Sequence, residues 1–550
     1  LSRWGVWILI AIYLILLMPM TPLLSTYHDD ERYYTDAAII MTQTGDYITP
    51  YYPNGEIRSK KPIIIYWLLS ASYLLFGVNF FASRLPFLLA GCLTLLITYR
   101  LAMSLFRNEV EALGAAAIMA GNITLFTSSL RSTPDVLLCL FINISLYGFA
   151  AIILEGKRGV LPYCYAYFGA ALAVETKGLQ GLAPIAFAAF FCFVRRGTGT
   201  RIRDLIHIRI MAVAAIVALS WYAVILIKHG EAGLAGFVTD QVGKRFSGSK
   251  LYILENIKNY FWGFARHFFP WSLVFLVGLV WKRKKVFEFI KTHKEEILFI
   301  TGWYLTLLVM FVSGNINRTR YLLPAYPLMA ALFSSLAFHL LRESGFGAFM
   351  RGIQQVFVII GIAAACLFIF TGAFVDMRIL AGGIWLLIIS AIMWFLSLKR
   401  NSFPIVLAIG LYLMFVITAV DTFVRPVFRV SPARQLAQRI LRVEGPIPTV
   451  VSIGMEDKYA GQLRVAAGGR IEVTSFPTGS IPPHVEENRI LILTENTKEE
   501  FDNSDYRIER CAYSFKPLKA SHILEIIKGG NRDAVFEKLK RNYYLAFKVK

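Results

Sequence analysis

The sequence predicts a polytopic α-helical membrane protein, with about 13 transmembrane helices and a C-terminal soluble α/β domain. Three observations predict it. Of 550 residues, 56% are hydrophobic, more than in ordinary soluble domains. Apolar runs of about 17–25 residues recur, the length a helix needs to cross a bilayer. Beyond Val420 the pattern changes to short β-prone runs between polar turns.

The first apolar run, Trp4–Leu24, is too long for the core of a secretory signal, and nothing A-x-A-like follows it. It opens a span at 4–26. Further spans are expected at 84–105, 110–130, 135–154, 160–175, 179–194, 210–227, 268–281, 296–313, 322–341, 354–375, 379–398 and 403–420. Thirteen crossings from a cytoplasmic N-terminus put the C-terminal tail outside. They also put the basic gaps in the cytoplasm: Arg107, Lys157 and Arg158, Arg195 to Arg209, Lys282 to Lys285, Arg342, Lys399 and Arg400. That is the positive-inside pattern, so the formal net charge of +21 reflects topology. No folded basic domain or RNA-binding motif accompanies it, which argues against nucleic acid as a partner.

The run "PIIIYWLLSASYLLFG" (Pro62–Gly77) opens on Pro and closes on Gly. It reaches about 22 Å, short of a roughly 30 Å hydrocarbon core. A crossing here would turn the basic gaps outward, so it is expected to lie in the interface. The first external loop is then 27–83, with a second helix over Glu31–Thr44 ended by Gly45, and a second external loop is 228–267. The domains expected are 1–420 for the membrane unit and 421–550 for the α/β unit. The latter carries strands at "PTVVSIG", "RIEVTSF" and "RILILTE" and helices at "SPARQLAQRIL" and "SHILEIIKG". The six cysteines show no metal or disulfide spacing.

Candidate chemistry gathers on the external side. Asp29, Asp30 and Glu31 stand in a row where the chain leaves the first span. Carboxylates there suit an N-terminal cap. Three together also suit a general base that takes a proton from an incoming hydroxyl, with Asp30 and Glu31 as catalytic candidates. Arg58, Lys60 and Lys61 are cations on the side where the topology rule disfavours them, so they are expected to answer a phosphate. Snorkelling to head groups is the competing reading. Arg131 and Asp135 in "SSLRSTPDVLL" and Lys177 in "VETKG" lie at further external turns, with Lys244 and Arg245, Arg266 and His267, and Arg318 and Arg320. Each suits a solvated loop, but together they describe a basic cavity facing outward. His267 is the one candidate metal ligand, in company with a first-loop carboxylate; no HxxxH spacing supports it.

On these residues the sequence resembles the GT-C glycosyltransferases, most of all the branch with bacterial lipid A aminoarabinose transferases and protein O-mannosyltransferases. The pieces are Asp30-Glu31, "GDY" (Gly45–Tyr47), Lys61-Pro62, Tyr66-Trp67, Phe76-Gly77 and Arg84. "TKG" (Thr176–Gly178), "RFSG" (Arg245–Gly248), Pro270-Trp271 and "RYLLPAYP" (Arg320–Pro327) follow in order. The likeness covers roughly residues 4–340 and, more loosely, the whole length.

The resemblance implies a GT-C fold in the bacterial inner membrane, with active site and tail facing the periplasm. It implies Asp30 as catalytic carboxylate and a polyprenyl-phosphate-linked sugar as donor. Lys61, Arg131, Asp135, Arg245 and Arg320 are implied at the lipid-phosphate site. Tyr33, Tyr34, Tyr66, Trp67 and Tyr321 are expected as aromatic contacts to sugar or lipid. A single displacement would invert the anomeric carbon, with no cofactor required. One departure stands out: aminoarabinose transferases carry "EKP" where this chain has Lys60 in "KKP". The reversed charge disfavours an amino sugar and tolerates a neutral or acidic one. The acceptor stays open between a lipid A-type glycolipid, another envelope glycan and a secreted protein. A lipid-linked sugar flippase is the rival class, but it needs polar groups near the midplane, where these spans are mostly apolar.

Overall fold

The computed structural model describes residues 2–195, 201–240, 250–312, 318–398, 405–443, 449–477, 490–499, 501, 506–516, 520–528 and 531–548. Among these residues nine helices are long and apolar enough to cross a membrane, and up to eleven if two sharply bent helix pairs each count as one span. The chain is thus a multi-pass α-helical membrane protein with a C-terminal mixed sheet.

The helix α1 (Ser2–Leu17) leads to α2 (Glu31–Thr44), which Gly45 ends in the left-handed region, and to α3 (Ile64–Phe76). Both external-loop helices thus form at the expected positions. α4 (Phe80–Phe106) is 27 residues long, about 40 Å at 1.5 Å per residue. The expected span 110–130 is instead broken into α5 (Glu109–Ala120) and α6 (Ile123–Ser129), bent by 65°. Asn122 causes the restart, since its side chain accepts from the N–H groups of Thr124 and Leu125.

α7 (Asp135–Ile153) and α8 (Val160–Lys177) pack unusually close. A Cβ on Gly148 would lie 2.3 Å from Ala166 N, and one on Gly169 would lie 2.6 Å from Ser145 N. This approach brings Asp135, at the start of α7, beside Lys177, at the end of α8. A 3-10 turn joins α8 to α9 (Ala183–Val194), so 160–194 forms one continuous apolar stretch of 35 residues where two spans were expected.

α10 (Ile208–His229) and α11 (Ala232–Val238) follow. The segment 228–267, expected as a loop, ends in a helix, α12 (Lys250–His267). It turns by 96° into α13 (Trp271–Trp281), because Pro270 has no N–H to continue the ladder. The expected span 268–281 is thereby only 11 residues long. α14 (Arg283–Thr292), α15 (Lys294–Val312), α16 (Tyr326–Leu341), α17 (Phe346–Phe374), α18 (Met377–Leu398) and α19 (Ile405–Ala419) complete the membrane unit. The last apolar helix runs on to Phe428, eight residues past the expected boundary at 420.

The C-terminal sheet has strand order β2-β1-β3-β5-β4. β1 (Thr449–Ile453), β2 (Glu472–Phe476) and β3 (Ile490–Thr494) are parallel neighbours at the three expected places. β4 (Tyr506–Phe515) and β5 (Lys540–Lys548) add an antiparallel half that the sequence reading missed. The helix Asp457–Ala466, also missed, seats this unit on α2. A Cβ on its Gly461 would lie 2.5 Å from Arg32 Cβ. Arg464 pairs with Asp36, Arg32 with Asp457 at 2.6 Å, and Gln43 Nε2 donates to Gly469 O at 2.6 Å.

The two ends of the bundle differ in charge pattern. Arg195 pairs with Glu295, Lys285 with Glu343, and Arg158 with Asp204 at one end. The acids and cations of the loops expected outside converge at the other.

Candidate active site

Asp30 occupies the N-cap position of α2, yet its side chain makes no capping hydrogen bond. It turns to two arginines from the chain before α16. Arg318 Nη1 and Arg320 Nη2 both donate to Oδ2, at 2.9 and 2.8 Å. No hydrogen bond to Oδ1 is present among the described residues. Burial pushes the Asp30 carboxyl up, but the Arg320 hydrogen bond and the charges of His28 and Arg318 outweigh it. They hold it below the usual carboxylate range. His28 Nε2 lies 3.0 Å from Arg320 Nη1; arginine only donates, so this ring nitrogen accepts. Burial, then the charges of Arg320 and Arg131, keep the imidazole below its ordinary pKa.

Arg320 also reaches Asp135, Nε to Oδ2 at 3.4 Å, and Lys177 Nζ donates to Asp135 Oδ1 at 2.7 Å. Lys177 in turn lies 4.3 Å from the Tyr321 ring centroid. A continuous ionic chain therefore links the first loop, α7, α8 and the segment before α16. On the other wall Arg58 is buried among the rings of Tyr33, Tyr34 and Tyr52, at 4.9, 5.0 and 5.1 Å, and donates to Tyr52 Oη at 3.0 Å. Three aromatic faces around a desolvated guanidinium hold it by cation–π attraction. Lys61 pairs with Asp240, and Lys60 lies 5.8 Å from the Tyr52 ring.

These groups enclose a cavity of about 280 Å³ lined by Asp30, Tyr33, Tyr34, Arg58, Lys60, Lys61, Asp135, Lys177, Arg318, Arg320 and Tyr321. Eleven residues singled out in the sequence thus meet in one place. Tyr52, Thr133 and Asp240 line it too and were missed. Asp240 had a readable signal, as a carboxylate just before the cations of the second external loop. A second cavity of about 820 Å³ shares Asp30, Arg318 and Arg320 and adds His28, Asp29, Trp262 and Arg266.

The remaining candidates stand elsewhere. Glu31 is fully buried: its carboxylate takes Arg84 Nε at 3.2 Å, the Ser132 N–H at 3.2 Å and the His28 N–H at 2.7 Å. Arg131 lies within electrostatic reach of Glu31 and Arg320 but lines neither cavity. Tyr66 is buried behind Tyr34, with ring centroids 5.9 Å apart. Trp67 is half-exposed and donates to Tyr47 O. Lys244 and Arg245 lie outside the described residues. His267 meets no first-loop carboxylate; its Nδ1 faces Tyr326 Oη at 2.8 Å. Among the described residues no group of three or more His, Cys, Asp and Glu side chains is disposed to hold a metal.

Comparison with known proteins bears on this arrangement. Residues 60–222 match the family model of dolichyl-phosphate-mannose-protein mannosyltransferases. An uncharacterized protein of Aquifex aeolicus is 29% identical over 308 residues, 55% of this chain and 58% of that protein. The undecaprenyl phosphate-alpha-4-amino-4-deoxy-L-arabinose arabinosyl transferase of Aeromonas hydrophila is 25% identical over 361 residues, 64% of this chain and 62% of that one. The chain thus spans less than two thirds of the length of either relative. Among solved structures, ArnT from Cupriavidus metallidurans bound to undecaprenyl phosphate superposes with a TM-score of 0.71 at 16% identity, covering 99% of this chain and 98% of that one. The chain therefore has a GT-C fold resembling that of ArnT-type aminoarabinose transferases, with sequence likeness to the mannosyltransferase family.

Proposed function

We propose that this protein is an inverting glycosyltransferase of the bacterial inner membrane, moving a sugar from a polyprenyl-phosphate carrier to an acceptor in the cell envelope. The observation that carries this reading is the cavity in which Asp30 stands among Lys60, Lys61, Lys177, Arg58, Arg318 and Arg320. Asp135 and Asp240 in the same cavity pair with Lys177 and Lys61, while Asp30 keeps an open oxygen; this suits a reaction that takes a proton at one point and releases a phosphate at another. The undecaprenyl phosphate held by ArnT supports the choice of carrier.

In this mechanism the acceptor hydroxyl approaches the anomeric carbon from the Asp30 side. Asp30 Oδ1 orients the hydroxyl and takes its proton as the new C–O bond acidifies it. The bond from the anomeric carbon to the carrier phosphate breaks on the opposite face, so configuration inverts. Arg320, Lys61 and Arg58 stabilise the phosphate charge that grows in the transition state. Glu31 acts as a positioning residue, holding the turn before α2 through Arg84 and the His28 N–H.

Lys60 favours a neutral or acidic sugar over one bearing an amine. The acceptor is a lipid A-type glycolipid or another envelope glycan, with a protein hydroxyl as the second reading, favoured by the match to the mannosyltransferase model. The unit that follows the last apolar helix, beyond Phe428, faces the periplasm, which labelling of Cys511 from outside intact cells would detect; labelling only after lysis would refute it.

Transfer assays with undecaprenyl-phosphate-linked sugars and membrane glycolipids test the proposal. Asp30→Asn should lower kcat on the order of 10²–10⁴-fold with donor binding retained. Full activity in that variant would remove Asp30 from the reaction.

A further inference from the structure

A cleft of about 640 Å³ lies apart from the cationic cavity, where the C-terminal unit meets the membrane unit. Leu24, Ser25, Tyr27 and Asp29, from the segment after α1, form one wall. Phe428 to Ser431, where the last apolar helix ends, form another, and the C-terminal unit supplies the third through Lys458, Tyr459, Ser514 and Arg541. The cleft thus opens at the level where the chain leaves its apolar helices.

Its chemistry is that of a sugar site. Tyr27, Phe428, Tyr459 and Phe515 line it together with hydroxyl, amide and charged groups of both signs. Aromatic rings cover the C–H faces of pyranoses, while mixed donors and acceptors match their hydroxyls. Ser25 and Tyr27 line this cleft, and their buried hydroxyls meet no hydrogen-bond partner among the described residues. Buried polar atoms are normally paired, so these two are poised for an incoming group. Lys458 and Arg541 both pair with Glu456, which presets their positions at the rim. Asp29 lines this cleft and also the 820 Å³ cavity that contains Asp30. The two spaces therefore adjoin through one residue.

We infer that this cleft binds the carbohydrate headgroup of the membrane-anchored acceptor and directs its reacting hydroxyl past Asp29 to Asp30. The inference rests on the glycosyltransferase reading and adds to it a site for the acceptor, separate from that for the donor phosphate. It also gives the C-terminal unit a role in acceptor choice.

Binding to the purified full-length chain tests it, with two probes: a soluble bisphosphorylated glucosamine disaccharide and undecaprenyl phosphate. The wild type should bind both. Lys458→Ala with Arg541→Ala, and separately Tyr459→Ala, should weaken the disaccharide about ten-fold or more. Undecaprenyl phosphate affinity should stay within about two-fold, which also reports that the variants are folded. A wild type that binds undecaprenyl phosphate but not the disaccharide would overturn the inference. So would variants that keep disaccharide affinity. Failure to bind undecaprenyl phosphate, with the disaccharide still bound through these residues, would count against the donor reading and leave the cleft standing.

Discussion

Asp30 and Glu31 are neighbours in the chain, both acids held by arginine, yet they sit in opposite surroundings. The Glu31 side chain is 1% exposed and its Arg84 partner 0%, and Arg84 also donates to the carbonyls of Thr21 and Leu23 at 2.8 and 2.6 Å. Every neighbour of that pair is fixed. The Asp30 side chain is 29% exposed, both arginines take the same oxygen, and two cavities open beside it. Saturation and enclosure make the first pair a strut between the segment after α1, α2 and α4. Partial satisfaction at a cavity wall leaves the second free to exchange partners. A charge pair does chemistry where a substrate can compete for it.

Removing one member of each pair should break this contrast if it is wrong. Arg84→Ala leaves Glu31 buried without its counter-ion and should cost about 3–5 kcal/mol, read as a fall in thermal unfolding temperature of the detergent-purified chain. Asp30→Asn should change stability by less than about 1 kcal/mol while losing transfer. Equal thermal losses in the two variants would abolish the distinction.

Arg320→Ala sharpens it, because Arg320 serves Asp30 and Asp135 together. Undecaprenyl phosphate affinity should drop by about ten-fold or more, as expected for losing a charge-assisted contact. Unchanged affinity would place the phosphate elsewhere.

Acid offers a smaller lever. Asp30 and His28 both have pKa values lowered in the folded protein. The His28 contribution is complete above its unfolded value near 6.5 and fades as pH falls below it. The Asp30 contribution is complete above the ordinary carboxylate value and fades only at more acidic pH. Thermal stability should therefore decline from about pH 6.5 downward, and His28→Asn should flatten the portion between about pH 5 and 7. An unaltered profile in that variant would exclude His28 as the source. Smallest of all, Lys228→Ala breaks a half-exposed pair with Asp46 and should shift stability by no more than about 1 kcal/mol.

The sequence made the membrane class, both helices of the first loop and three strands legible, because each rests on a local signal: long apolar runs, a helix stop at Gly45, short β-prone runs between polar turns for β1 to β3. Breaks were harder to see. The bend at Asn122 and the turn at Pro270 depend on single residues inside apolar stretches whose mean composition still reads as a span. β5 was missed because "KRNYYLAFK" looks like a polar edge, though Tyr543 to Ala546 are buried in the sheet. At the site, charge and placement were enough to gather eight lining residues, and the expected aromatic contacts added Tyr33, Tyr34 and Tyr321. They were not enough to separate Glu31 from Asp30, since capping position and charge are alike in sequence and only packing against Arg84 tells them apart. Long-range partners such as Asp240 for Lys61 likewise lie 179 residues away, beyond any local pattern.

Cryo-EM of the full chain with undecaprenyl phosphate measures the central claim most directly. The account predicts the phosphate in the 280 Å³ cavity, within hydrogen-bonding distance of Arg320 and Lys61 and beside Asp30. A phosphate bound at the opposite end of the bundle, near Arg195 and Lys285, would contradict it.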